Sequence, residues 1–489
     1  MDTRNLTLLT DFYEITMMQG YFLSGYADKQ VVFDLFYREN PVNSGYAITA
    51  GLSQVIEYIK NLKFSEEDIT YLASLNVFRP EFLKYLGNFK FRGEIYAIPE
   101  GTVVFPQEPL VRVRAALPEA QLIETALLNI INHQSLIATK AARVVHAAEG
   151  NTVLEFGLRR AQSPDAGVYG ARAAVIGGCA ATSNVLCGKL FNIPVRGTHA
   201  HSWVMTFPDE LSAFRAYMDI YPNSALLLVD TYNTLKSGVP NAIKVFNEMK
   251  EKGLPLKNYG IRLDSGDLAY LSKMAREMLD LAGFTDATIT ASSDLDEILI
   301  QSLKGQGAKI TSWGVGTNLI TSKDWPAFGG VYKLACEFDD TGLEIPKIKL
   351  SNNPVKITNP GYKKIFRLYD SETNKIKADL IALEGETINP EEDLTIFNPV
   401  MTWKKMTLKA GKYRVRELLA PVFINGECVY DDPPALEIQA VCKREMETLW
   451  DEYKRFVNPH LMPVDLSQKL YDLKQKMLRE HGKIGVHET

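Results

Sequence analysis

Between residues 152 and 316 the chain alternates short apolar runs with longer amphipathic stretches. The apolar runs are TVLEF, IPVRG, ALLLVD, YGIRLD, ATITAS and KITSWGVG. Each is short and rich in β-branched residues, which predicts a strand. The stretches between them are AGVYGARAAVIGG with ATSNVLCGKLF, PDELSAFRAYMDIY, VPNAIKVFNEMKEKG, GDLAYLSKMAREMLDLAG and DLDEILIQSLKG. Their apolar residues recur at helical spacing. About six strand–helix units in succession predict parallel β/α architecture: a barrel or part of one, with a doubly wound sheet as the alternative.

The flanks read differently. Up to about residue 116, VVFDLFYR and GEIYAIPEGTVVFP have β composition, while LSQVIEYIKNL has helical period. EGTVVFPQEPLVRVRA predicts strand, turn and strand. A long helix is expected after Pro118, over EAQLIETALLNIINHQSLIATKAARVVHAA, with Gly150 past its end. Beyond about residue 330, YKKIFRLYDSETNKIKADLIAL and MTLKAGKYRVRELLAPVFINGECVYD predict hairpins, and ALEIQAVCKREMETLWDEYKRFV and SQKLYDLKQKMLRE predict two closing helices. The expected division is a mixed α+β domain over 1–116, a β/α barrel-like domain over 117–335, and hairpins and helices over 336–489.

Composition narrows the field. A chain of 489 residues is longer than one core usually supports. Its net charge of −5 argues against a nucleic-acid partner, though a local basic pocket for phosphates stays compatible with it. No apolar run approaches the ~20 residues that span a bilayer, and MDTRNLTLLTDFYE lacks a signal-peptide pattern. Five cysteines without a CxxC pair predict neither disulfides nor a zinc site. A cytoplasmic protein without a membrane partner is expected.

Polar and glycine residues gather where the strands end: EFGLRRAQ, GTHAHSW, DTYN, RLDSGDL, SSDLDE and GVGTN. In β/α barrels these exits converge on one face. GVGTN, Gly314 to Asn318, is a turn whose N–H groups suit a phosphate, or simply a turn. SSDLDE is expected to open a helix, with Ser292, Ser293 or Asp294 as N-cap or as part of an anion site. RLDSGDL carries Arg262, Asp264, Ser265, Gly266 and Asp267: Arg262 suits an anionic ligand and the carboxylates suit ribose hydroxyls or magnesium, against a plain salt bridge and cap. Asp230 in DTYN is a similar candidate. Phe156 beside Arg159 and Arg160 suits a flat anionic ring. His199 and His201 would share a face of an extended segment. These residues alone do not choose between the two histidines, nor between catalyst and ligand.

TDFYEITMMQGYF, EFGLRRAQ, GTHAHSWVM, VDTYN, GIRLDSGDL, SSDLDE and GVGTNLIT together resemble, in order and over nearly the whole chain, the nicotinate phosphoribosyltransferase family. The resemblance implies a type II phosphoribosyltransferase fold, with later segments completing the N-terminal domain. It implies synthesis of nicotinate mononucleotide and pyrophosphate from nicotinate and phosphoribosyl pyrophosphate, a salvage step of NAD biosynthesis. It also implies ATP coupling through a phosphohistidine (a ligase-type enzyme), magnesium, and a homodimer with shared active sites. His201 matches the phosphorylated histidine. Phe156 and Tyr13, the latter from the partner subunit, would sandwich the pyridine ring. Thr198 and Arg262 would contact nicotinate, and Thr317 with Gly314 and Gly316 would contact phosphoribosyl pyrophosphate. Arg159, Ser265, Gly266, Ser293 and Asp294 complete the expected substrate contacts. Asp264 and Asp230 are the expected catalytic carboxylates, magnesium being held mainly by substrate with Asp264 as its candidate protein ligand.

Related nicotinamide-using enzymes carry an aspartate where Ser183 aligns. A carboxylate there would repel an acid substrate, so serine favours nicotinate. Cys428 and Cys442 alone do not build the cysteine-rich metal knuckle of some family members. The pyridine nitrogen is already a nucleophile, so little work remains for a general base. Three rivals are a nicotinamide-using relative, a Schiff-base aldolase and a nucleotide sensor. The first is opposed by Ser183, the second by the lack of a strand-exit lysine, and the third is separable by a pyrophosphate-release assay.

Overall fold

The computed structural model describes residues 4–254 and 256–484, so the first three residues of the opening stretch lie outside it. The described parts of Met1–Leu136, Ala327–Pro433 and Ala440–Thr489 form one compact unit, and those of Ile137–Pro326 with Pro434–Gln439 form a second. The fold is α/β, with a β/α barrel-like sheet in the second unit and mixed and antiparallel elements in the first. Among the described residues no helix is long and apolar enough to cross a membrane.

The second unit holds a parallel six-stranded sheet. Its strands are β1 (Thr152–Glu155), β2 (Ala181–Thr182), β3 (Leu226–Leu228), β4 (Gly260–Leu263), β5 (Thr288–Ala291) and β6 (Ser312–Val315). The spatial order is β2-β1-β6-β5-β4-β3. The first strand therefore lies between the second and the last, so chain order runs round on itself as in a barrel. Between β2 and β3 the ladder is open. The segment after Ile193 fills that seam: Val195 bridges Thr182 in parallel, and Leu228 N donates to His199 Nε2 at 3.2 Å.

Five expected strands are found. IPVRG is not one: it makes only the isolated bridge at Val195, and the short Ala181–Thr182 strand takes its place in the sheet. Pro194 has no N–H to give a ladder, which favours such an interruption. Helices occupy the expected stretches, from Pro164–Ile176 to Glu297–Gly305, except that ATSNVLCGKLF opens with the strand Ala181–Thr182 and is helical only over Val185–Phe191. The last of these starts later than SSDLDE suggests. Its N-cap is Asp296, whose carboxylate accepts from Leu299 N at 2.7 Å, so Ser292, Ser293 and Asp294 precede the helix.

The first unit is built on an antiparallel seven-stranded sheet in which Gln30–Tyr37 lies between Gly330–Phe338 and Val111–Ala116. Ala420–Ile424 pairs with Glu94–Ala97 in the same sheet. A four-stranded sheet pairs Lys363–Asp370 with Ile376–Leu383, the first expected hairpin. The second expected stretch forms a hairpin only at its end, Ala420–Ile424 with Glu427–Cys428; before that, Lys405–Leu408 pairs back onto Leu394–Phe397, and Tyr413–Glu417 joins Lys363–Asp370. Phe366, Leu368, Leu380, Ile396, Leu408 and Tyr413 close one apolar cluster there, which rewards that pairing. EGTVVFPQEPLVRVRA also divides, Val103–Val104 pairing with Ala47–Ile48 rather than with Val111–Ala116. The long helix is broken once, into Leu117–Leu122 and Glu124–Ala147. Two buried ion-pair groups brace this unit: Arg367 meets Asp379 at 2.6 Å and Glu445 at 3.1 Å, and Lys363 meets Asp34 at 2.8 Å.

Candidate active site

The mouth of the barrel is made by the exits of the six strands. β3 ends at Leu228, and Asp230 and Thr231 follow. β4 ends at Leu263, and Asp264 and Ser265 follow. Asp230 Oδ2 accepts from Asp264 N at 2.7 Å and from Ser265 Oγ at 2.8 Å, so one carboxylate locks two neighbouring exits. Asp264 Oδ1 accepts from Ser292 Oγ at the exit of β5, while its Oδ2 lies 3.8 Å from His201 Nε2. Gly266 turns the chain at φ +79°, where glycine is favoured, and Asp267 caps the following helix by accepting from Tyr270 N at 3.0 Å.

The two histidines are separated by their environments. His199 is 8% exposed, its ring packed edge-on to Tyr217 with centroids 4.6 Å apart. Its Nε2 accepts from Leu228 N, and burial pushes its pKa down to about 4. It is a neutral seam residue. His201 opens a short helix, His201–Thr206, with 40% of its side chain exposed. Its Nδ1 lies 3.1 Å from Thr231 Oγ1. The two rings thus meet different partners, His199 the backbone of β3 and His201 the side chains of Thr231 and Asp264. Among the described residues no group of three or more histidine, cysteine or acidic side chains is placed to hold a metal ion.

Arg262 reaches the same mouth from β4. Its Nη2 donates to His199 O at 3.2 Å, and burial lowers its pKa. Its Nε is buried without a hydrogen-bond partner, as is Asp230 Oδ1. Buried polar atoms left open in this way cost free energy until something pairs with them. A cationic and an anionic atom, both open at one mouth, suit a ligand that carries acidic and hydroxyl groups.

Phe156 follows β1, and its ring lies against Gly314 of β6: a Cβ on Gly314 would sit 2.6 Å from Phe156 Cδ2. The first glycine of GVGTN therefore makes room for an aromatic ring, a reason separate from any phosphate. Gly316 precedes the one-turn helix Thr317–Ile320, and Thr317 is half-buried. Ser293 is exposed at φ +121°, with Asp294 exposed beside it. Arg159 is exposed in the turn Leu158–Arg160. Ser183 follows β2 and donates its N–H to Glu155 O at 2.9 Å. Thr198 is half-buried next to His199, its Oγ1 donating to His199 O at 3.1 Å.

The hydrogen bonds thus join Asp230, Asp264 and Ser265 directly, with His201 and Arg262 beside them. Tyr13 belongs to the first unit, exposed on the helix Phe12–Leu23. Sequence reasoning missed Thr231 as the partner of His201 and Ser292 as the partner of Asp264. Thr231 sits next to Asp230, and Ser292 was itself singled out, as an N-cap or anion-site residue; their strand-exit positions were the available signal.

Three family models match the chain: the nicotinate phosphoribosyltransferase N-terminal domain over residues 8–132, the nicotinate phosphoribosyltransferase family over 152–333, and the C-terminal domain over 362–474. A Bacillus subtilis protein named nicotinate phosphoribosyltransferase is 47% identical over 476 residues, covering 97% of this chain and 96% of that protein. The crystal structure of human nicotinic acid phosphoribosyltransferase matches with a TM-score of 0.82 at 28% identity, over 96% of this chain and 99% of that one. The crystal structure of a Pyrococcus furiosus nicotinate-nucleotide pyrophosphorylase shares the fold, with a TM-score of 0.68 at 21% identity, over 92% of this chain and 97% of that one.

Proposed function

Because the chain belongs to the nicotinate phosphoribosyltransferase family, we propose that it joins nicotinate to the phosphoribosyl group of phosphoribosyl pyrophosphate, releasing pyrophosphate, and couples this to ATP hydrolysis through a phosphate carried on His201. The observation that carries the reading is the convergence at one mouth of His201, Asp264 and Asp230 with the open buried atoms of Arg262 and Asp230.

The pyridine nitrogen attacks the anomeric carbon of the ribose. The C–N bond forms as the C–O bond to pyrophosphate breaks, and pyrophosphate leaves with the bonding electrons. No proton needs removal from the nucleophile. The residues of this chain therefore orient and stabilise charge rather than act as a base. Phe156 offers its face to the ring, Arg262 and Thr198 hold the carboxylate, and Ser183 keeps a second carboxylate away from it. Arg159, Ser265, Gly266, Ser293, Asp294, Gly314, Gly316 and Thr317 are assigned to the phosphoribosyl pyrophosphate side and the rim.

Magnesium fits this site through Asp230 Oδ1, an acceptor with no protein partner, and Asp264 beside it. When bound, it neutralises charge on the leaving pyrophosphate. A His201 ring whose Nδ1–H donates to Thr231 keeps a lone pair on Nε2. That lone pair attacks the terminal phosphorus of ATP: the N–P bond forms, the P–O bond breaks, and ADP leaves; water then attacks the same phosphorus, the N–P bond breaks, and inorganic phosphate leaves. Asp264 faces the same nitrogen and balances charge on the ring. The reading includes a cytoplasmic homodimer in which Tyr13 of one subunit covers the ring in the other.

The test is steady-state synthesis from nicotinate and phosphoribosyl pyrophosphate, with and without ATP, reading pyrophosphate and ADP. Product formation stimulated by ATP, with ADP released in step, is expected. Absence of nicotinate turnover overturns the reading of the reaction, and turnover indifferent to ATP overturns the coupling.

A further inference from the structure

Glu155 closes β1 and is fully buried. The structure gives its carboxylate two hydrogen bonds, both from neutral donors. Oε1 accepts from Gly157 N, and Oε2 accepts from Thr182 Oγ1 at 2.5 Å. Burial raises its pKa. A carboxylate is a costly choice for an interior position that an apolar side chain would fill more cheaply. What it holds accounts for the choice.

The two donors belong to different strand exits. Gly157 directly follows Phe156. Thr182 ends β2, directly before Ser183, and its Oγ1 also accepts from Asn184 N at 2.9 Å. Asn184 continues the brace, capping the next helix by accepting from Cys187 N at 3.0 Å and donating to Gly167 O at 3.1 Å. The backbone adds a parallel tie, Ser183 N to Glu155 O at 2.9 Å. Gly157 is needed for this approach, since a Cβ there would fall 2.9 Å from Glu155 Oε1 and closer still to Ile320.

Successive side chains on a strand point to opposite faces. Glu155 is in register with Val315, whereas the ring of Phe156 lies over Gly314. Glu155 therefore faces away from the side that Phe156 presents and acts through its neighbours.

We propose that Glu155 is a positioning residue: by bonding Gly157 and Thr182 at once it fixes the spacing between Phe156 and Ser183, and so sets the affinity for the aromatic acid. This rests on the reading of Phe156 and Ser183 as ring-side residues for nicotinate.

The test uses the full chain with Thr182→Val, Thr182→Ser and Glu155→Gln. The readouts are kcat, KM for nicotinate, KM for phosphoribosyl pyrophosphate and melting temperature. Thr182→Val keeps the shape and removes two bonds, the one given to Glu155 and the one accepted from Asn184 N. Glu155→Gln offers an amide N–H₂ where Oε2 now accepts, so one of the two donors loses its acceptor. Each is expected to raise KM for nicotinate about tenfold while leaving KM for phosphoribosyl pyrophosphate unchanged, and Thr182→Ser is expected to behave as wild type. Should Glu155→Gln fail to fold, the valine and serine pair decides alone. Unchanged KM for nicotinate in folded Thr182→Val overturns the proposal. So does a parallel rise in both KM values, which would mark a general structural role. A wild-type chain that does not turn over nicotinate fails at the functional reading itself, an outcome separate from these.

Discussion

The seam and the mouth of one barrel each contain a histidine, two residues apart, and the fold makes opposite use of them. At the seam, His199 is dry, neutral and bonded to the backbone of β3, replacing a ladder bond that the open sheet lacks. At the mouth, His201 starts a helix, stays half exposed and faces Thr231 and Asp264. Residue type and spacing do not distinguish them; closure of the sheet does. A histidine whose accepting nitrogen is already used inside the protein has none left for a phosphorus atom.

The largest expected effect falls on the mouth. His201→Ala should lower the ATP-stimulated part of the rate at least about 100-fold while leaving some ATP-independent synthesis. ADP still released in step with product would break the contrast between the two rings. The next effect belongs to the seam and is a matter of pH. His199 in the fold titrates near pH 4, against an ordinary value of 6.5. Between those values the unfolded chain binds a proton that the folded chain does not, so stability is full above pH 6.5 and is lost as pH falls toward 4. The loss amounts to about 3 kcal/mol. It is read as the difference in urea unfolding free energy between wild type and His199→Leu across that range; parallel pH curves would place His199 in water rather than in the seam.

Above pH 6.5, where that protonation penalty is absent, His199→Leu should unfold more easily by about 1–3 kcal/mol, because Leu228 N–H loses its acceptor. It should keep its ATP stimulation; loss of that stimulation would move function back to the seam. The smallest effect concerns the acid. Ser183→Asp should shift relative kcat/KM from nicotinate toward nicotinamide by about tenfold. An unchanged ratio would remove Ser183 from the ring side.

Much of this was legible in the chain. Strand–helix alternation predicted the parallel sheet, and polar clusters after its strands marked the mouth, because parallel strands all end on one side. What escaped was non-local. Ala181–Thr182 is too short to carry any periodicity, and IPVRG looks like a strand although Pro194 interrupts its ladder. The pairing of Gln30–Tyr37 with Gly330–Phe338 spans some 300 residues and leaves no trace in either segment. The packing of Phe156 on Gly314 gives GVGTN a purpose that its composition suggested only as a turn. The roles of Thr231, Ser292 and Glu155 depend on neighbours in space, which spacing along the chain does not supply.

The most direct measurement is to incubate the full chain with ATP and magnesium, digest it under conditions that preserve acid-labile phosphate, and map the modified peptide by mass spectrometry with fragmentation. The account predicts phosphate on His201, lost in His201→Ala and retained in His199→Leu. Phosphate on His199, or on no histidine at all, would contradict it.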